Sequence, residues 1–167
     1  MSTIAAHKSK DVANWFLAWI FQINDTFKMD SVKLQKIVYL ARGYSVPYLG
    51  YSLFDEPYIA MEKGPVATSL YPLYEKIDHS DVQLSIDFDF NIFSAEENKF
   101  LFSIWTEFGF KQTEELVNIA HSHSIWENAY NQKVADSDKK IDNEQIDQFF
   151  LHGLYQPIKA LGGPILG

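Results

Sequence analysis

The chain has 167 residues, of which 47% are hydrophobic and 22% are charged, and this length and composition indicate one folded domain. Fourteen Lys and Arg against 22 Asp and Glu give a net charge of -8, which disfavours nucleic acid as a partner. The absence of Cys excludes disulfides, thiolate metal sites and cysteine catalysis.

The first predicted helix begins near Ser9 or Asp11 and ends at about Thr26. Its apolar residues recur at steps of three and four and predict one buried stripe: Val12, Trp15, Phe16, Trp19, Ile20 and Ile23. Leu17 and Phe21 fall on the opposite side, so this helix is either enclosed in the domain or offers apolar surface to a partner. No signal-peptide or membrane-spanning pattern occurs, and we expect a cytoplasmic protein.

Asp30 is predicted to cap a second helix. Its expected buried stripe comprises Leu34, Ile37, Val38, Ala41 and Ser45. Because Pro47 cannot donate a backbone hydrogen bond, the helix is expected to kink or end between Gly43 and Tyr48. Gly50 then closes the segment.

The middle of the chain is expected to contain the strands. Residues 58–63 are predicted to form a short edge strand or an extended loop. Gly64-Pro65 favours the start of a helix over 66–77, as two short turns or one bent helix, because Pro72 interrupts it. Residues 82–92 alternate between apolar and polar, which is typical of a strand that pairs with 58–63 or with another chain.

The second half of the chain carries the clearest helix signals. The predicted caps are Ser94 with Glu97, for a helix that Gly109 ends; Thr113; Ser124 with Glu127; and Asp142 with Gln145. Residues 131–140 read as a loop, the last helix covers 143 to about 155, and 156–167 form a flexible apolar tail. The predicted fold class is mainly α (α+β): one compact helical domain over 1–167 with a small β-hairpin or two-stranded sheet.

The sequence offers little support for catalysis or metal binding. His121 and His123 lie two positions apart, which on a helix separates them by about 200°, so they do not form a ligand pair. We expect His123 to pack on an apolar face and His121 to be a hydrogen-bonded surface residue. No nucleophile elbow or phosphate-binding loop occurs. The prediction is therefore no enzyme, no metal and no cofactor, with a metal-dependent hydrolase that uses His121 as the enzymatic alternative.

The second predicted helix carries a small group of basic residues. Lys33 and Lys36 share one face, whereas Arg42 falls on another. We interpret the two lysines as a solvated helix face, with a docking site for an acidic partner as the alternative.

Three segments resemble the Panacea domain, the SocA-like antitoxin family. They are Leu34-Gln35-Lys36 continuing to Tyr44, Leu53-Phe54-Asp55-Glu56, and Gly64-Pro65-Val66. His121 and Trp126 are similar to the family's His and Trp after its penultimate helices. The chain departs from the family's pattern at Met61-Glu62, where Trp-Lys is expected, at Ile125 in place of Pro, and at Pro47.

The resemblance implies an antitoxin of a bacterial or phage toxin–antitoxin pair that neutralises its toxin by direct binding or by presenting it to a protease. It implies partner contact through the second helix, the acidic loop Leu53-Phe54-Asp55-Glu56 and the Gly64-Pro65 turn. The residues implied in this contact are Lys33, Gln35, Lys36, Phe54, Asp55, Glu56, Gly64, Pro65, Tyr71, His121 and Trp126. The expected partners are a cognate toxin or other target protein and a protease, with no membrane; a homodimer stays open. The alternative is a phage or mobile-element regulatory protein that binds a host factor.

Overall fold

Helices and three short strands make up the described part of the chain. The computed structural model describes residues 7–23, 29–74, 87–153 and 158. In chain order the helices are α1 Ser9–Ile23, α2 Ser31–Leu49, α3 Tyr71–Tyr74, α4 Ala95–Phe108, α5 Thr113–His121, α6 Ser124–Tyr130 and α7 Asn143–Gln148. The strands are β1 Tyr58–Met61, β2 Gly64–Ala67 and β3 Lys140–Ile141. This mainly helical architecture with a small antiparallel sheet confirms the predicted fold class.

Helix α2 is the central element of the core. It packs against α1, α4, α5 and β2, and 14 of its 19 residues are buried. The predicted caps are confirmed, because Asp30 Oδ1 accepts a hydrogen bond from Lys33 N at 2.7 Å and Gly50 has a φ of 87°. An end before Tyr48 is wrong, since the helix continues through Pro47 to Leu49. Pro47 has no N–H for the Gly43 carbonyl, so the helix lacks one hydrogen bond near its end but still continues to Leu49, and the Pro47 ring is buried.

Helix α1 is partly enclosed. Its predicted stripe is buried at Val12 and Phe16, and Leu17 on the opposite side is buried as well. Phe21, in contrast, is 37% exposed. The predicted end at Thr26 lies outside the described residues. No described helix combines the length and the apolar character that a bilayer-spanning segment requires.

The sheet has the order β2-β1-β3, with both pairs antiparallel. Residues 58–61 therefore form a strand as predicted, but a central one, paired with 64–67 and 140–141 and not with the described residues 87–92. The prediction of a helix starting at Val66 is wrong. Gly64 adopts a φ of 122°, which reverses the chain and lets residues 64–67 run back along β1.

The predicted strand over 82–92 is wrong in its described part. Residues 90–92 form a 3₁₀ turn, and 82–86 lie outside the described residues. The Asp89 side chain accepts a hydrogen bond from Asn91 N at 2.9 Å, and this local bond favours a turn over an extended chain. Phe90 then packs edge-on against the Trp15 ring, with 5.9 Å between the ring centroids.

The capping signals of the second half predict the helix starts well. The capping boxes of Ser94 with Glu97 and of Asp142 with Gln145 are confirmed. Helices α5 and α6 begin one residue earlier than predicted, because Gln112 and His123 are their N-caps. Thr113 does not cap α5; its hydroxyl donates to Asp30 Oδ2 at 2.6 Å instead.

The last helix is shorter than predicted. Helix α7 ends at Gln148 and is followed by a π-helical turn over Phe149–Gly153. Ile158 is fully buried, and its backbone N donates to the Tyr48 hydroxyl at 2.6 Å. Residues 154–157 and 159–167 lie outside the described residues, so the flexible tail over 156–167 stays a prediction, as does the single domain over 1–167.

Candidate functional site

The β1–β2 hairpin is held from two sides by side chains that hydrogen-bond to its backbone. Two come from α2 and two from the region of α5 and α6. From α2, Gln35 Oε1 accepts a hydrogen bond from Ala67 N at 3.2 Å, and Lys36 Nζ donates one to Pro65 O at 2.9 Å. From the other side, His121 Nε2 donates to Glu62 O at 2.7 Å, and Trp126 Nε1 donates to Met61 O at 2.8 Å. All four of these residues were among the sequence-predicted contact residues, and the fold brings them together around one element.

The α2 side chains cover the outer edge of β2. Gln35 satisfies an N–H that points away from β1, and Lys36 satisfies a C=O on the same edge. Pro65 has no N–H to leave unpaired there, which explains how a proline fits into this strand. The motif residues of α2 therefore close a sheet edge that would otherwise be free to pair.

The Lys36 amine is buried, and its hydrogen-bond acceptor in the described part of the chain is the neutral carbonyl oxygen of Pro65. The residue is 1% exposed, and this burial lowers the pKa of its amine to about 7. Its stem runs directly under the hairpin turn: a Cβ added to Gly64 would lie 2.8 Å from Lys36 Cε and 3.1 Å from the Ala120 Cβ. The close approach leaves no room for a side chain at position 64.

An aromatic stack supports the other side of the hairpin. The His121 ring lies on Trp126, with centroids 4.2 Å apart, and Trp126 lies on Tyr130 at 4.9 Å. Lys139 Nζ completes the stack 4.4 Å from the Tyr130 centroid. Because His121 donates to Glu62 O from within this stack, its ring serves as a brace for the turn.

The acidic loop is tied to the core by a buried arginine. Arg42 is fully buried, and its guanidinium donates to Asp147 Oδ1 at 2.6 Å and to Asp55 Oδ1 at 3.0 Å. Glu56 accepts hydrogen bonds from Ser9 N at 3.0 Å and from the Ser69 hydroxyl at 2.9 Å. Both acidic side chains of the loop therefore serve internal bonds.

The predicted contact residues differ sharply in exposure. Asp55 and Tyr71 are exposed, and Glu56 and His121 are half-buried. The buried ones are Lys33, Gln35, Lys36, Phe54, Gly64, Pro65 and Trp126. A solvated face for the lysines is therefore wrong, because Lys33 is also buried, its Nζ donates to Lys111 O at 2.9 Å, and burial lowers its pKa. Whether the exposed residues contact a partner stays a prediction.

A groove lies over the outward face of the hairpin. It has a volume of about 500 Å³, and Tyr71 is the sequence-predicted residue that lines it. The other lining residues are Ile59, Ala60, Met61, Glu62, Val66, Thr68, Tyr130, Asp136 and Ser137. The sequence analysis quoted Val66 within the family motif and Met61-Glu62 as a departure from it, but predicted none of these lining residues to contact a partner. The available signal was the run Tyr58 to Met61, which is apolar at every position and so presents apolar side chains on both faces of a strand.

The histidines follow the sequence-based expectation. His123 is 1% exposed within an aromatic cluster, hydrogen-bonds through Nδ1 to the Tyr39 hydroxyl at 2.8 Å, and has its pKa lowered by burial to about 4. His121 is a hydrogen-bonded residue of the surface layer. Within the described ranges, no three His, Asp or Glu side chains are grouped so that they could hold a metal ion.

The chain matches a model of a known protein family. The family model described as antitoxin SocA-like, Panacea domain, matches residues 34–127, which is more than half of the chain. The match starts at the α2 motif and ends just after Trp126, so it includes both sets of side chains that hold the hairpin. No curated protein and no solved structure matches the chain significantly.

Proposed function

The chain belongs to the SocA-like antitoxin family with the Panacea domain, and from this premise we propose that it neutralises a toxin protein by binding it directly. The observation that carries the proposal is the use of the motif side chains. Gln35, Lys36, His121 and Trp126 all bond to the backbone of one hairpin. Lys36 and His121, the two of these residues that could take part in acid–base chemistry, thus hold the hairpin backbone in place, which favours a rigid surface.

A rigid surface favours binding over catalysis. A partner that docks on a preformed hairpin does not have to order it, so less binding free energy is lost. The outer face of the hairpin presents the groove, with Tyr71 exposed at its wall, and tyrosine is a residue type enriched where partners bind. We place the toxin-facing surface there.

The charge of the chain suits such a partner. A net charge of -8 accelerates encounter with a basic protein and slows encounter with acidic ones. A stable interface buries roughly 800 Å² on each partner, so we expect surface around the groove to contribute as well. Direct occlusion needs no further component, whereas delivery to a protease needs a third protein.

Co-expression with neighbouring genes tests the proposal. We expect one neighbouring gene to be toxic alone and rescued by the wild-type chain, with the half-life of the toxin unchanged. The Tyr71→Ala variant should lose rescue, whereas Phe110→Ala, which removes a 69% exposed aromatic ring that does not line the groove, should keep it. If no neighbouring gene product is toxic and rescued, the proposal fails; a shortened toxin half-life during rescue would replace occlusion by proteolytic delivery.

A further inference from the structure

We propose that the groove over the hairpin takes a segment of the toxin in which apolar side chains adjoin a Lys or Arg. This inference rests on the proposed function and adds the chemistry of the bound segment. It follows from the apolar floor of the groove, from the sign of its charged residues and from the closed edge of β2.

The floor of the groove is apolar. Ile59 opposes Val66 in the antiparallel register, so both side chains stand on the same face of the hairpin. Met61, two residues along β1, stands on that face as well. Tyr71 and Tyr130 add aromatic walls. A surface of this kind is covered best by apolar side chains of a partner.

All formally charged residues that line the groove are acidic. Among the described residues they are Glu62 at the hairpin turn and Asp136; Lys139, whose Nζ lies over the Tyr130 ring, is not one of the lining residues. The Asp136 carboxylate lies 3.3 Å from Lys139 Nζ, whose side chain is 15% exposed, but the Asp136 side chain is 98% exposed, so water screens this pair and the carboxylate stays accessible to a second cation. A cation of a partner therefore meets two accessible carboxylates beside the apolar floor.

The hairpin does not offer an open strand edge at β2. Gln35 and Lys36 already bond to the outward backbone groups of Ala67 and Pro65, and Pro65 lacks an N–H. A partner segment that adds a strand there would find no free groups to pair with. At the β2 edge, recognition must therefore come from side chains that enter the groove, which makes the composition of the segment decisive.

Peptide selection tests this composition without any toxin. A phage-displayed library of random short peptides is panned against the full-length chain, with the Tyr71→Ala variant used for counter-selection. We expect the enriched peptides to combine large apolar residues with at least one Lys or Arg. A library that enriches no sequence, or enriches sequences without a basic residue, overturns the inference.

Titration of one selected peptide then tests the carboxylates. The double variant Glu62→Gln with Asp136→Asn should weaken binding about tenfold and reduce its dependence on salt. The matched control, Glu114→Gln with Glu144→Gln, removes two exposed carboxylates outside the groove and should leave binding unchanged. Equal affinities for the wild type and the groove variant refute the inference. Because no toxin enters this assay, its failure is separate from a failure of rescue in co-expression.

Discussion

Replacing Lys36 with methionine tests whether a buried amine holds the hairpin. Burial lowers the pKa of this amine to about 7 in the folded protein, against an ordinary value of 10.5. Between these two pH values the unfolded chain holds a proton that the folded chain has lost. The free energy of unfolding of the wild type must therefore rise as the pH increases from about 7 towards 10.5. At pH values below about 7 this gain in stability is absent, because the amine is then protonated in both states.

The size of the effect follows from the shift. One proton changes the free energy of unfolding by about 1.4 kcal/mol per pH unit. A pKa of Lys36 that falls from 10.5 to about 7 on folding therefore changes the free energy of unfolding by at most about 5 kcal/mol. Tyrosines of the unfolded chain ionise near pH 10, so the useful range ends at about pH 9.5, with a rise of about 3 kcal/mol. Methionine keeps the apolar stem and removes the titrating group. It also leaves Pro65 O without its donor, at a cost of about 1–3 kcal/mol that does not depend on pH.

Urea unfolding at a series of pH values from about 7 to 9.5 measures this difference. We expect the wild type to gain stability across the series and Lys36→Met to gain about 3 kcal/mol less. Lys99→Met, at an exposed lysine of α4, is the control and should follow the wild type. Parallel pH dependences of the wild type and Lys36→Met would refute the reasoning.

Three further predictions concern the packing around the hairpin and in the core. Gly64→Ala should cost about 1–3 kcal/mol in urea unfolding, because φ is 122° and the new Cβ would lie 2.8 Å from Lys36 Cε; an unchanged midpoint would contradict this placement. Trp105→Ala should cost about 3–5 kcal/mol in the same assay, because the residue is 2% exposed. Since burial lowers the pKa of His123 to about 4, the protein should lose stability as the pH falls from about 6.5 to 4. In thermal melts the melting temperature of His123→Gln should fall less steeply over this pH range than that of the wild type, and equal slopes would argue against a neutral buried ring.

The motif residues of the candidate site could be found in the sequence, but the hydrogen bonds that they make within the fold could not. Gln35, Lys36, His121 and Trp126 were all singled out by the resemblance as residues of partner contact. In the fold each bonds to a backbone atom of the hairpin that lies between 29 and 65 positions away along the chain, and their contact with a partner stays a prediction. Backbone atoms carry no side-chain signature, so no local pattern shows which of them a distant side chain will meet.

The sequence by itself determined the features that depend on neighbours a few positions apart. The capping boxes at Ser94 and Asp142, the N-cap Asp30 and the stop at Gly50 each use groups within one helical turn, and all of them occur in the fold. Tertiary structure decided what Gly64-Pro65 becomes. A Gly-Pro pair suits either a helix start or a strand, and it forms a strand here because β1 and the α2 side chains satisfy its backbone. Burial of Lys36, and with it the shape of the surface offered to a partner, is likewise a consequence of packing between elements that are distant in sequence.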